Sequence, residues 1–162
     1  MNTKIREIAV QFHHIHRGRN WFGQSYRTKL QDMDPEQYFI RPAADVHSVA
    51  ELITHATAWR KDAVVKIRTG AGQLTEASDE DWPDLELLQE KGWATIIAEY
   101  EESVDGLIGL LEEKDDAFLE TTYHDPEFGG NFPYSFTIYG ILQHDIYHLG
   151  QLGLVASMLK KK

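Results

Sequence analysis

Apolar residues recur along most of the chain at intervals of three and four, the spacing that puts them on one face of an α-helix. Ile5, Ile8, Phe12 and Ile15 open the pattern, and its phase continues through Phe22, Tyr26 and Leu30. The pattern predicts one long first helix, kinked near Gly18. Asp34-Pro35 and Arg41-Pro42 bracket a connecting stretch, because proline lacks the backbone donor and restricts the residue before it. A second helix starts at Ser48-Val49-Ala50-Glu51, where the serine oxygen and the glutamate side chain can satisfy the first unpaired amides reciprocally. It runs through Leu52, Ile53, Ala56, Trp59 and Ala63 to about Arg68 and stops before Gly70 and Gly72. A polar loop spans residues 70–83. From about Asp84 a third helix carries Leu88, Trp93, Ile96, Ile97, Tyr100, Val104, Leu107 and Leu111, weakened by Gly106 and Gly109. Residues 120–134 are rich in glycine, proline and aromatics without a period and read as a long ordered loop. The last helix begins near Ser135 and continues to the C-terminus through Ile138, Ile141, Leu142, Leu149, Leu152, Val155 and Leu159. Four amphipathic helices with no credible strand predict an all-α antiparallel four-helix bundle, a single domain over residues 1–162.

Composition narrows the chemistry. The 162 residues have a formal charge of -10, which opposes the attraction to phosphate that dominates nucleic-acid affinity. The positive charges are scattered except for Lys160-Lys161-Lys162, which suits a helix C-terminus. No nucleic-acid partner is expected. The absence of cysteine removes disulfides, thiolate ligands and a protein thiol nucleophile, so any thiol chemistry needs a thiol brought from outside. With no signal-like N-terminus and no apolar stretch of spanning length, the sequence predicts a cytoplasmic protein without a membrane partner.

The histidines carry the candidate chemistry. His144 and His148 lie four apart on one helix face, within reach of a single cation, and share a stripe with Ile141, Gln151 and Val155. Buried imidazoles need partners. His55, beside Leu52 and Trp59 on the apolar side of the second helix, is the natural third ligand. The alternative for such a pair is a solvated or hydrogen-bonded structural feature. His13, His14 and His16 read as a polar helix face, since Arg17 and Arg19 would repel a cation. His47 reads as structural, and His124, in the long loop, as a candidate fourth ligand or proton shuttle. Asp145 points about 100° away from His144 around the helix, where an ion pair or cap is expected. Tyr147 and Gln151 lie nearer the metal face and suit either ligand orientation or core hydrogen bonding.

Asn20-Trp21-Phe22-Gly23, Arg41-Pro42, His47-Ser48, Ile53-Thr54-His55-Ala56 and above all Gln143-His144-Asp145-Ile146-Tyr147-His148-Leu149-Gly150-Gln151 resemble the DinB-like superfamily over nearly the whole chain. The resemblance implies a DinB-like four-helix bundle holding a divalent metal ion, often nickel or zinc, on three histidines that map onto His55, His144 and His148. It also implies a homodimer, for which Trp21, Trp82 and Trp93 offer exposed aromatic surface, and relatives that act as thiol transferases or isomerases with low-molecular-weight thiols. Imidazole-only ligation suits zinc, nickel, copper or iron, with manganese a further option, and leaves open positions for water or substrate. A metal-dependent small-molecule thiol transferase or hydrolase is therefore expected, the alternative being a non-catalytic metal-binding module in a stress response. The aromatic loop Thr121–Tyr134 is expected to line the substrate pocket.

Overall fold

The computed structural model describes residues 2–125 and 128–160. Four long helices form the bundle: α1 (Thr3–His16), α3 (Val49–Thr69), α5 (Trp93–Glu112) and α6 (Tyr134–Lys160), with short α2 (Tyr26–Gln31) and α4 (Leu85–Lys91) between them. Helix α3 packs against α5 and α6, and α1 closes the bundle against α5. No helix among the described residues is long and apolar enough to cross a membrane. Lys161 and Lys162, two thirds of the basic C-terminal run, lie outside the described residues.

Three elements differ from the periodic reading. The first helix ends at His16 and a new one starts at Tyr26, because Ser25 caps the backbone of Thr28 while the Thr28 side chain returns a bond to Ser25. Phe22, which keeps the apolar phase, and its neighbour Trp21 are exposed residues of the connector. The third helix divides at Gly92, whose φ of 79° lies in the left-handed region that strains any residue with a Cβ. The stretch 120–134 contains a two-stranded antiparallel hairpin, β1 (Thr122–Asp125) and β2 (Gly130–Pro133), in the register Tyr123 with Phe132 and His124 with Asn131. Tyr123 and Phe132, opposite each other in the register, share a face of the hairpin, Tyr123 stacking on Tyr134 and Phe132 on Phe136.

The second helix matches its signals. Ser48 and Glu51 form the capping box, and Gly70 ends α3 at a φ of 77°.

Apolar side chains pool into two clusters. One gathers Tyr26, Leu30, Val49, Ile53, Tyr100, Leu149, Leu152 and Val155; the other gathers Ile5, Ile8, Phe12, Ile67, Leu107, Leu111, Ile138 and Ile141. Along α3 and α6 a polar residue, Arg60 and Asp145, falls between the two sets, and these meet His16, Tyr100 and Ser103. Arg60 of α3 donates to Asp145 Oδ1 at 2.6 Å and to Ser103 Oγ at 3.0 Å; Asp145 Oδ2 lies 2.9 Å from His16 Nε2, and His16 Nδ1 lies 2.8 Å from the Tyr100 hydroxyl. Arg60, Asp145 and His16 are at most 1 % exposed. Burial lowers the His16 pKa despite the pull of Asp145, so the ring is neutral, donating from Nε2 and accepting the Tyr100 O–H at Nδ1. Asp145 makes the ion pair expected of it. His16 belongs to this core network rather than to a polar surface.

Candidate metal centre

His144 and His148 come from consecutive turns of α6 and His55 from α3, facing it. His55 Nε2 lies 3.0 Å from His144 Nε2, which lies 3.1 Å from His148 Nε2, and one ligand atom from each of the three falls within 4.8 Å of the others. Four nitrogens arranged tetrahedrally around a zinc-sized ion sit about 3.3 Å apart, close to the two separations that His144 Nε2 makes with its neighbours.

The outer nitrogens explain why the inner ones converge. His55 Nδ1 faces Asp81, 2.9 Å from its Oδ1 and 3.0 Å from its backbone oxygen. Two acceptors there fix the proton on Nδ1 and leave the Nε2 lone pair pointing at the other rings. His148 Nδ1 likewise donates to Gln151 Oε1 at 2.6 Å, while Gln151 Nε2 donates to the Tyr147 hydroxyl at 3.1 Å. His144 Nδ1 is buried and finds no partner among the described residues. The rings of His55 and His148 turn their inner lone pairs toward His144 Nε2, which can hold a proton between them when no cation is bound. A divalent ion would accept all three nitrogens, so the residues fit the metal that the sequence suggested.

Electrostatics favour the same state. Burial, reinforced by its histidine neighbours, lowers the pKa of His144 to about 3 and that of His148 to about 4, and burial outweighs Asp81 to lower His55 too. Neutral imidazole is the form that ligates. An expected pH dependence follows. Unfolded histidines take up protons near their ordinary pKa of 6.5, while these folded ones resist until about 4 or 3. The metal-free protein therefore loses stability as pH falls below about 6.5, each ring contributing at most about 1.4 kcal/mol per pH unit. Urea denaturation of the metal-free chain at pH 7 and pH 5 checks this, and equal or greater stability at pH 5 contradicts it.

A cleft of about 560 Å³ opens onto the trio, lined by His55, Trp59, Glu76, Asp81, Trp82, His144, Tyr147 and His148. The polar loop 70–83 supplies one wall. Trp82 is sandwiched, its ring stacked 3.8 Å from His55 on one side and 3.8 Å from His47 on the other. His47 Nδ1 is held 3.2 Å from Glu51, which also takes the Arg41 guanidinium at 3.0 Å. Burial alone would raise the Glu51 carboxyl, but Arg41 and the Ser48 amide bring it down to about 2. Arg41, His47 and the capping box thus brace the wall behind His55. Trp59 adds an Nε1–H donated to Asp81 Oδ1 at 2.6 Å.

The trio read from the sequence is brought together, and Tyr147 and Gln151 join it. Other expectations do not hold. His124 bonds to Asn131 on the hairpin and is not among the residues lining the cleft, nor are the described residues of Thr121–Tyr134. The strand pairing and the stacking of Tyr123 on Tyr134 commit that segment to the bundle instead. Trp82 and Trp93 are half-buried, the latter stacked on Tyr38, so of the three tryptophans expected at a dimer surface only Trp21 is fully exposed. Asp81 and Glu76 have no reading in the sequence, and Trp82 reads only as dimer surface, because an aperiodic loop gives no phase from which to infer direction.

A helical bundle with three convergent histidines beneath an open cleft is a scaffold suited to a divalent metal. The chain belongs to the DinB superfamily, whose family model matches residues 21–152. No curated protein matches it. Among solved structures it is similar to YfiT from Bacillus subtilis, described as a probable metal-dependent hydrolase with an unusual four-helix bundle topology, at a TM-score of 0.61 and 10 % identity over 98 % of this chain and 85 % of that one. At that identity the likeness establishes the fold.

Proposed function

We propose that His55, His144 and His148 hold a divalent cation, zinc or nickel in the first place, and that the protein is a metal-dependent hydrolase or thiol transferase acting on a small molecule. The observation that carries this reading is the convergence of three neutral imidazoles at an open cleft large enough for a small ligand. The description of YfiT as a probable hydrolase supports the first activity. For the second, the thiol comes from outside, since the chain has no cysteine.

A bound cation would supply Lewis acidity to an oxygen or sulfur brought into the cleft. The protein's own groups do the rest. Asp81 and Gln151 hold protons on the outer nitrogens and keep the inner ones directed, while Trp59, Trp82 and Tyr147 shape an aromatic wall that positions the substrate. Asp81→Ala is expected to weaken zinc binding by up to about 10-fold, because His55 loses the carboxylate, one of the two acceptors that set its tautomer, and keeps only the backbone oxygen. Competition with a chromogenic chelator reads this, and an unchanged affinity contradicts the assigned role.

Screening the metal-loaded protein against ester and amide substrates, and against electrophiles with added low-molecular-weight thiols, tests catalysis. Activity abolished by a chelator and restored by metal is expected. Activity indifferent to chelation overturns the mechanism, and metal binding without any turnover favours the non-catalytic module. We also infer a homodimer from the family resemblance; light scattering at twice the chain mass checks it.

A further inference from the structure

We propose that the cleft selects small molecules bearing a cationic group, an ammonium or alkylammonium, which meets Glu76 while the reacting atom faces the three histidines. This rests on the metal-centre reading and names a substrate class for it.

The charges that line the cleft are of one sign. Among the described residues its walls contain two carboxylates, Glu76 and Asp81, and neither lysine nor arginine. Asp81 is buried and committed to the wall, bonded to both His55 and Trp59. Glu76 is exposed in the loop 70–83 and borders the open side. Nearby cations are engaged elsewhere: Arg60 is buried against Asp145, while Lys61 and Lys91 pair with Glu99 in a separate cavity.

The aromatic walls reinforce the sign. Both faces of Trp82 are covered by histidine rings, but Trp59 is half-buried and Tyr147 is 63 % exposed at the cleft edge. Aromatic faces attract ammonium groups and do nothing for carboxylates. The formal charge of -10 adds a background potential of the same sign. A bound divalent cation would attract the reacting sulfur or oxygen of any substrate alike, so the far end of the molecule is where the walls discriminate. A thiol carrying several carboxylates would place them against Glu76 with no fixed cation to receive them; one carrying an amine would find a partner.

Two small thiols of similar length and opposite charge, cysteamine and 3-mercaptopropionate, provide the test. The full-length protein is loaded with cobalt, cobalt content is measured, and each thiol is titrated while the sulfur-to-cobalt charge-transfer absorption is recorded. Their intrinsic thiol acidities differ, so the readout is the ratio of the two affinities compared between proteins. The ratio is expected to favour cysteamine in the wild type and to fall about fivefold in Glu76→Gln, the effect of losing one exposed ion pair. In Glu76→Lys it is expected to shift further toward 3-mercaptopropionate. Both changes fall on an exposed loop position outside the histidine trio, and cobalt content checks that the centre is intact. Cobalt uptake with the same ratio in all three proteins overturns the charge selection alone. Failure of the wild type to take up cobalt overturns the metal centre and this inference with it.

Discussion

Asp145→Ala is expected to destabilise the protein by about 3–5 kcal/mol, because it strands a buried charge. Asp145 is fully buried between the two apolar clusters, with Arg60 on one carboxylate oxygen at 2.6 Å and His16 on the other at 2.9 Å. Burial alone would raise its pKa, but Arg60 and His16 outweigh that and hold it low, so it is ionised in the folded state. Removing it leaves the Arg60 guanidinium in a dry core with Thr57, Ser103 and the Tyr100 ring for company, all of them neutral. The companion change matters as much. Replacing the pair together, Arg60→Met with Asp145→Leu, removes both charges and should recover part of the loss, the remainder being the buried His16 Nε2–H left without its acceptor. Urea denaturation of the wild type, the single variant and the double variant measures the coupling. A single variant within about 1 kcal/mol of the wild type contradicts the ion-pair account.

The network also holds the turn of α6 that carries His144. Asp145 follows His144 directly in the chain, and its backbone oxygen accepts the Tyr26 hydroxyl at 2.9 Å. Four helices are thereby tied at the level of the candidate site: α1 through His16, α3 through Arg60, α5 through Tyr100 and Ser103, α6 through Asp145. A polar layer of this kind fixes the register of helices whose apolar faces alone would tolerate sliding.

Helical spacing and capping chemistry made part of this legible. Helix α3 was readable because Ser48 and Glu51 fix its start and Gly70 its end, and His55 follows from that phase. The pair in α6 was readable because a four-residue interval has one geometric meaning on a helix. The break between α1 and α2 was not, since Phe22 keeps the apolar phase while the Ser25 cap decides the backbone. The division at Gly92 was hidden in the same way by Leu88, Trp93 and Ile96, which preserve the period across a left-handed residue. The hairpin escaped because its four-residue strands are too short for alternation to stand out among glycines and aromatics. Of the candidate site, the three histidines and the Gln151 and Tyr147 beside them were visible, and the supports of His55 were not. Asp81 and Trp82 act through tertiary contacts across 26 and 27 positions of sequence, and no local pattern reports those.

His144→Ala carries the second large effect. His144 is the middle member of the trio, 3.0 Å from His55 Nε2 and 3.1 Å from His148 Nε2, so its removal leaves two nitrogens without the one that links them. Two imidazoles on facing helices bind zinc weakly, and affinity is expected to drop by at least about 100-fold. The fold should survive. His144 lies outside both apolar clusters, and its Nδ1 makes no bond among the described residues that the change would break. Circular dichroism of the variant, unchanged from the wild type, separates loss of ligation from loss of structure.

Whether the three histidines hold a metal is decided by the metal content of untagged protein. Wild type and His144→Ala are each equilibrated with zinc, dialysed and assayed by plasma mass spectrometry. Three-histidine ligation predicts close to one zinc per wild-type chain and almost none in the variant; equal metal content in the two proteins contradicts it.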